Sequence, residues 1–233
     1  MSKLKNLNNI AIIPARAGSA GLKNKNILPV NNKLLIDFSI EAAVNSQLFS
    51  RIIVSTNIES LLKRKNNSQI EYHKREESVC TSKSSMLEVI NWLIQKEHSL
   101  GSSDFFCLLQ PTSPLRDHHD IEKSWNILEN TKSDGCISVT EAFQHPLKAL
   151  VLKDEKNHIE PLDAKSFSSN RQNLPQCFYP NGAIYWLKTT AFKEEKSFCP
   201  NNSVCYIMDK IKSIDIDSEY DFIKFKKLME KKI

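Results

Sequence analysis

Glycine is scarce in this chain, with five residues in 233. Two of the five, Gly18 and Gly21, fall in one loop near the start, so backbone freedom is concentrated there. No segment has the GxxxxGK[ST] spacing of a P-loop or the GxGxxG of a dinucleotide turn, which argues against both classes. The six cysteines, Cys80, Cys107, Cys136, Cys177, Cys199 and Cys205, include no CxxC pair, so a zinc ribbon and a dithiol redox couple are not expected. Cys107 and Cys136 lie in apolar runs, where a thiol packs as a small core side chain. No apolar stretch is long enough to span a bilayer. The opening Met1-Ser2-Lys3-Leu4-Lys5-Asn6 lacks the apolar run of a signal peptide, so a cytoplasmic protein with reduced thiols and no membrane partner is expected. A strong charge of one sign is also missing. Lys and Arg total 32 against 27 Asp and Glu, a net +5 spread over scattered lysines. That balance gives no footprint for nucleic acid but suits a small anionic substrate.

The first 140 residues alternate strand and helix. Strands are expected over Asn9 to Pro14, Arg51 to Ser55, Ile70 to His73, Phe105 to Leu109 and Gly135 to Thr140. Helices are expected over Leu35 to Ser46 and near Ile58 to Lys65. Others should form around Met86, Ile90 and Leu93, and around Ile121, Trp125 and Leu128. The unbroken apolar run Phe105-Phe106-Cys107-Leu108-Leu109 suits a central parallel strand buried on both faces. This alternation predicts an α/β fold with a doubly wound, mostly parallel sheet. Over 141–180 the pattern becomes irregular and rich in proline, which reads as an excursion, an arm that would pack on a second subunit. Regular structure resumes at Gly182 to Leu187, Val204 to Met208 and Ser213 to Asp217. A last helix carries Phe222, Phe225 and Met229. No linker or repeat divides the chain, so 1–233 reads as a single domain.

Four constellations carry chemistry. The first strand runs into Ala15-Arg16-Ala17-Gly18-Ser19-Ala20-Gly21-Leu22-Lys23-Asn24-Lys25-Asn26. Permissive backbone flanked by Arg16 and Lys25 is what a polyphosphate needs, since amide N–H groups approach closely while fixed cations neutralise the oxygens. Near the other end, Ser213-Ile214-Asp215-Ile216-Asp217 places two carboxylates on one face of an extended segment. Such a pair repels unless a cation lies between, and Mg²⁺ is the natural hard ion. Leu109-Gln110-Pro111-Thr112-Ser113-Pro114-Leu115-Arg116 fixes the backbone past the central strand and presents Gln110 and Thr112 toward a base or sugar, with Asp117 capping the next helix. The fourth stretch holds Arg171, a candidate for an anionic partner, and then Tyr179-Pro180-Asn181-Gly182-Ala183-Ile184-Tyr185. His118 and His119 read as an exposed helix start rather than a metal site, because neighbours on a helix do not share a face.

Together, in order, IPARAGSAGLKNKNI, RIIVSTN, LLQPTSPLR, HPLK, RQNLPQ, PNGAIY and SIDID resemble the acylneuraminate cytidylyltransferases, the CMP-sialic acid synthetases and their relatives. LLQPTSPLR and PNGAIY look more like the nonulosonic-acid branch than the KDO branch. The resemblance implies a Rossmann-like nucleotidyltransferase with a small dimerisation arm, acting as a homodimer. It would join CTP and a 2-keto sugar acid to give a CMP-sugar and pyrophosphate, with Mg²⁺ as cofactor. Carried over by position, Arg16, Lys25 and Asp217 would be catalytic. Ala15, Arg16, Gly18, Ser19, Lys25, Asn26, Arg75, Ser85, Gln110 and Thr112 would surround the nucleotide. Gln110, Lys148, Arg171, Asn181 and Tyr185 would meet the sugar, Lys148 and Arg171 reaching it from the partner subunit. Asp215 and Asp217 would hold the metal. Asp217, or a hydroxide beside the ion, would help remove the sugar hydroxyl's proton. The chain departs from the pattern at Ala20, where the family has Lys, and at Tyr179, where it often has Arg. Eight-carbon KDO as acceptor, a nucleotide-binding relative without turnover, and a glycosyltransferase consuming CMP-sugar are the alternatives.

Overall fold

A computed structural model describes residues 8–18, 21–81 and 83–230. Ser19 and Ala20 of the first loop lie outside the described residues, as do the opening residues 1–7. The chain begins with β1 (Ile10–Ala15), a hairpin of β2 (Pro29–Val30) and β3 (Lys33–Leu34), α1 (Leu35–Ser46), β4 (Arg51–Thr56), α2 (Glu59–Leu62) and β5 (Ile70–Lys74). Then follow α3 (Met86–Lys96), α4 (His98–Gly101), β6 (Phe105–Leu108), α5 (His118–Thr131) and β7 (Gly135–Glu141). The last part holds β8 (Leu150–Leu152), β9 (Ile159–Pro161), α6 (Ala164–Ser168), β10 (Phe178–Lys188), α7 (Thr189–Glu195), β11 (Ser203–Ile207) and α8 (Glu219–Glu230).

Seven strands form one sheet in the order β11-β7-β10-β6-β1-β4-β5. All neighbours are parallel except β10, which runs antiparallel to both β6 and β7. The period of two along β1 explains why both faces are covered. Ala11, Ile13 and Ala15 enter one core with Ile36, Ile40, Trp125 and Trp186, while Ile10 and Ile12 enter the other with Val89, Ile90, Leu93 and Phe192. The expected doubly wound sheet is therefore present, with α1 and α5 on one face and α3 and α7 on the other. Local signals set several helix starts. Ser85 Oγ accepts the Glu88 N–H, and Asp117 Oδ1 accepts the Asp120 N–H, as capping residues do.

Strand direction gathers the functional loops. The carboxyl ends of β1, β4, β5, β6, β7 and β11 share one edge, and the antiparallel β10 brings its beginning there too. Two expectations change. Residues 214–217 are not a strand: their one backbone bond to the neighbouring loop is Ile216 N–H to the Thr112 carbonyl, 2.8 Å. The segment crosses a third apolar cluster instead, where Ile214 and Ile216 pack with Leu35, Leu115 and Phe225 of α8. The alternation survives without a ladder, because the isoleucines are buried and the aspartates exposed. The hairpin β2–β3 also escaped the periodicity, being two residues a side. Its turn is made by Asn31 and Asn32, at φ 47° and 65°.

Within 141–180 the chain forms the small antiparallel pair β8–β9 and the short α6. This region carries exposed Leu150, Leu152, Ile159 and Leu162, at 47, 70, 58 and 57%. No described helix is long and apolar enough to cross a membrane.

Candidate active site

At the loop-bearing edge lies a cavity of about 290 Å³. Its wall is formed by Pro14, Arg16, Gly21, Lys25, Asn26, Arg75, Met86, Gln110, Pro111, Thr112 and Asp217. The first loop, the Gln110 loop and the acidic segment thus meet at one place, although they come from opposite ends of the chain.

The first loop is held by one of its own polar groups and by one just past β4. Asn57 Oδ1 accepts the Ala17 N–H at 2.8 Å, and buried Asn26 donates Nδ2–H to the Arg16 carbonyl at 3.1 Å. Gly21 touches the acidic segment so closely that a Cβ there would lie 2.3 Å from the Asp217 carbonyl oxygen. Lys25 Nζ donates to Asp217 Oδ1 at 2.6 Å and to the Ile216 carbonyl at 3.2 Å.

Arg75 lies just past β5 and is 2% exposed. It donates to Ser55 Oγ and to the Ser55 carbonyl at 3.3 and 3.1 Å. Burial lowers its pKa to about 10, and the nearby Arg16 cation works in the same direction. The guanidinium still carries its charge near neutrality. Neither Arg16 nor Arg75 forms an ion pair among the described residues. Two neighbouring cations without a protein anion make the cavity a ready receptor for phosphate oxygens.

The Gln110 loop rests on Arg116, which sequence reasoning passed over. Arg116 is 1% exposed. It donates to Ser39 Oγ at 2.7 Å and to the Ala183 and Gln110 carbonyls at 3.2 Å each. With the backbone of Gln110 taken inward, its side chain and Thr112 are left on the cavity wall.

Although the residue as a whole reaches solvent, partial desolvation by the surrounding protein raises the carboxyl of Asp215 above the ordinary range. The Thr112 hydroxyl opposes that shift, and the Asp217 charge adds to it. The Tyr185 phenol is raised by burial and by the Asp215 charge, while its ring packs edge-on against Phe198 and lies off the wall of this cavity. On the other side of Asp215 is a second cavity of about 490 Å³, with Thr140, Phe143, Gln144, Tyr179, Lys210 and Lys224 on its wall.

Several expected contacts fall elsewhere. Ala15 is fully buried and leaves the wall to Pro14 and Arg16. Gly18 is exposed but off the cavity wall. The Ser85 hydroxyl caps α3, and the adjacent Met86 lines the cavity in its place. Asn181 is 6% exposed, its amide is engaged within the fold, and it lies off this cavity's wall. Lys148 donates to the Phe167 and Ser169 carbonyls, and Arg171 to the Phe143 carbonyl, so both stay with the arm and outside this chain's own cavity. His118 and His119 stand at the start of α5, as expected, with His119 exposed. Their rings lie 3.9 Å apart. With Glu122 they bring three donor atoms within 4.8 Å, the one such group of three among the described residues. That nitrogen-rich set at the start of α5 is unlike a magnesium site and does not line the cavity.

Another cavity, about 550 Å³, opens at the opposite edge, beside Phe105, Trp125 and Leu128. Lys188 on its wall is paired to Asp134 at 3.0 Å.

A mostly parallel sheet with a cationic loop, a buried arginine and two carboxylates at its carboxyl edge defines a nucleotidyltransferase-type fold. The family model described as cytidylyltransferase matches residues 10–230, and the chain belongs to that family. It is 33% identical over 216 residues to an N-acylneuraminate cytidylyltransferase of Escherichia coli O18:K1:H7, covering 91% of this chain and 50% of that protein. It is 30% identical to a CMP-N,N'-diacetyllegionaminic acid synthase of Campylobacter jejuni serotype O:2, covering 91% of each. The chain spans about half the length of several of the curated relatives that it matches. The fold also matches a CMP:2-keto-3-deoxy-manno-octonic acid synthetase solved with CTP, at TM-score 0.66 and 14% identity over 97% of this chain and 99% of that one.

Proposed function

We propose that this chain transfers CMP from CTP to the anomeric hydroxyl of a nine-carbon 2-keto sugar acid of the sialic, legionaminic or pseudaminic type, releasing pyrophosphate. The carrying observation is the cleft itself: Arg16 and Arg75, which form no ion pair among the described residues, stand on the wall that also holds Gln110, Thr112 and Asp217. Family membership and the printed names of the relatives supply the nucleotide and the acceptor class.

In this reading Arg16, Lys25 and Arg75 bind the triphosphate and orient its α-phosphorus for in-line attack. Such transfers depend mainly on positioning and charge neutralisation. Gln110 and Thr112 lie between nucleotide and acceptor. Tyr185 belongs to the acceptor side in this reading. Asp215 and Asp217 fit Mg²⁺: both are hard oxygen donors on one face, and the raised carboxyl of Asp215 reflects, after burial, repulsion that a cation would relieve. When bound, the ion supplies charge neutralisation on the phosphates. Asp217, 72% exposed in its side chain, is placed to take the acceptor hydroxyl's proton.

The 141–180 excursion is the dimerisation arm of a single-domain protein in this reading. Its exposed Leu150, Leu152, Ile159 and Leu162 form an apolar face for a second copy, which would carry Lys148 and Arg171 toward the partner's acceptor. A cytoplasmic setting suits six unpaired thiols, of which Cys199 and Cys205 are exposed.

The test is pyrophosphate release from CTP and Mg²⁺ with a panel of sialic, legionaminic, pseudaminic and eight-carbon KDO acids. Release with a nine-carbon acid, abolished by chelation, is the expected result. Turnover with KDO alone replaces the acceptor. Calorimetric CTP binding with no product from any acid makes the chain a non-catalytic binder, and consumption of CMP-sugar in place of CTP makes it a glycosyltransferase.

A further inference from the structure

Asn181 lies in a break of the β10 ladder. Pro180 pairs with Val139 and Tyr185 with Ile137, so four residues of β10, Asn181 to Ile184, face the single Ser138. A bulge of this size re-aims the backbone at the loop-bearing edge. Gly182 follows at φ 77°, and a Cβ there would meet Ser113 Oγ at 3.5 Å, Asp215 Oδ2 at 3.8 Å and Gln110 Nε2 at 3.8 Å. The bulge thus passes close to both the Gln110 loop and Asp215.

The Asn181 amide spends every group on neighbouring elements. Ser138 Oγ of β7 donates to Oδ1 at 2.6 Å, and the Ala183 N–H donates to the same oxygen at 3.2 Å. Nδ2 donates to Ser213 Oγ at 2.9 Å and to Met208 Sδ at 3.2 Å. Ser113 Oγ donates to the Asn181 carbonyl at 3.4 Å. One buried residue therefore ties the Gln110 loop, the sheet and both ends of the turn that precedes Asp215 and Asp217.

We infer that Asn181 is the positioning residue of the two-carboxylate segment: it holds Ser213, and through it Asp215 and Asp217, against the Gln110 loop, and it does not contact the acceptor. This rests on the cytidylyltransferase reading for what the carboxylates bind. Positioning groups behind metal ligands, when removed, typically weaken metal binding or activity by about 10–100-fold.

The test compares Asn181→Asp, which keeps the oxygen acceptor and removes the donor to Ser213, with Ser213→Ala, which removes that donor's partner together with the bond from Ser213 Oγ to the Asp209 carbonyl at 2.8 Å. Mn²⁺ affinity is read by the loss of the free-ion electron paramagnetic resonance signal, with and without CTP. Acceptor KM is read separately. Asn181→Asp should weaken Mn²⁺ binding about tenfold. Ser213→Ala should move it in the same direction, the double variant should be no worse than the poorer single, and acceptor KM should stay within about twofold of the native value. Unchanged Mn²⁺ affinity with a raised acceptor KM overturns the inference and returns Asn181 to the sugar wall. Should Asn181→Asp not fold, unchanged Mn²⁺ affinity in Ser213→Ala overturns it equally. Absence of CTP turnover in the native protein would fault the cytidylyltransferase reading, while the Mn²⁺ comparison would still report on Asn181.

Discussion

Replacing Gly21 by Ala perturbs one contact on which the cleft depends. The added methyl carbon would lie 2.3 Å from the Asp217 carbonyl oxygen, and the obstacle is backbone, not the end of a flexible side chain. Ordinary contact begins at 3.4 Å, so the first loop and the acidic segment must part by about 1.1 Å (3.4 − 2.3). Ile214 and Ile216 resist that movement, since each is nearly or fully buried and worth about 1.5–3 kcal/mol in place. The strain of overpacking is about 1–3 kcal/mol in stability. The catalytic loss should be larger, because a misplacement of about 1 Å costs on the order of 100-fold in rate. Continuous pyrophosphate assay at saturating CTP and acceptor reads kcat, and thermal melting reads stability. Gly18→Ala is the control. Nothing lies within 4 Å of its added methyl, and its left-handed φ of 70° costs about 1–2 kcal/mol without pushing on Asp217. A Gly21→Ala enzyme that keeps kcat within twofold of native refutes the claim that these two loops form one rigid wall.

Two further outcomes follow from the charges and the arm. The carboxyl of Asp215 is raised, so the fold disfavours its ionised form: the penalty is present above the folded pKa and vanishes below the unfolded value of about 3.9. Asp215→Asn should therefore melt higher than native at pH 7 in chelator, with the gap closing as pH falls toward about 4; a lower melting temperature at pH 7 would mean that the carboxylate is stabilising in the apo fold. Leu152→Glu places a charge on an exposed apolar face of the arm, and sedimentation should show a native dimer becoming monomer, whereas a native monomer at tens of micromolar would remove the arm's assigned role.

How much of this was legible beforehand depended on range. The helix Leu35–Ser46 and the strands from Ile10 and Arg51 follow from apolar periodicity, which is local and records which side of an element leaves water. The cationic loop was legible for the same reason, since Arg16 and Lys25 flank its glycines in a short stretch. Arg75 and Asn181 show the boundary. Their residue types announced polar chemistry, but a guanidinium pinned to Ser55 and an amide spent on Ser138 and Ser213 are outcomes of packing between distant segments.

The sequence by itself determined the strand–helix alternation of the first 140 residues, the two-sided core and the sites of charge, because each of these is written in neighbours along the chain. Only the tertiary structure decided that Gly21 meets Asp217, that residues 214–217 cross an apolar cluster outside the sheet, and that Asn181 faces inward. A buried polar group takes whichever partner the folded chain brings within hydrogen-bond reach, and that partner is set by strand direction and sheet order rather than by adjacent residues.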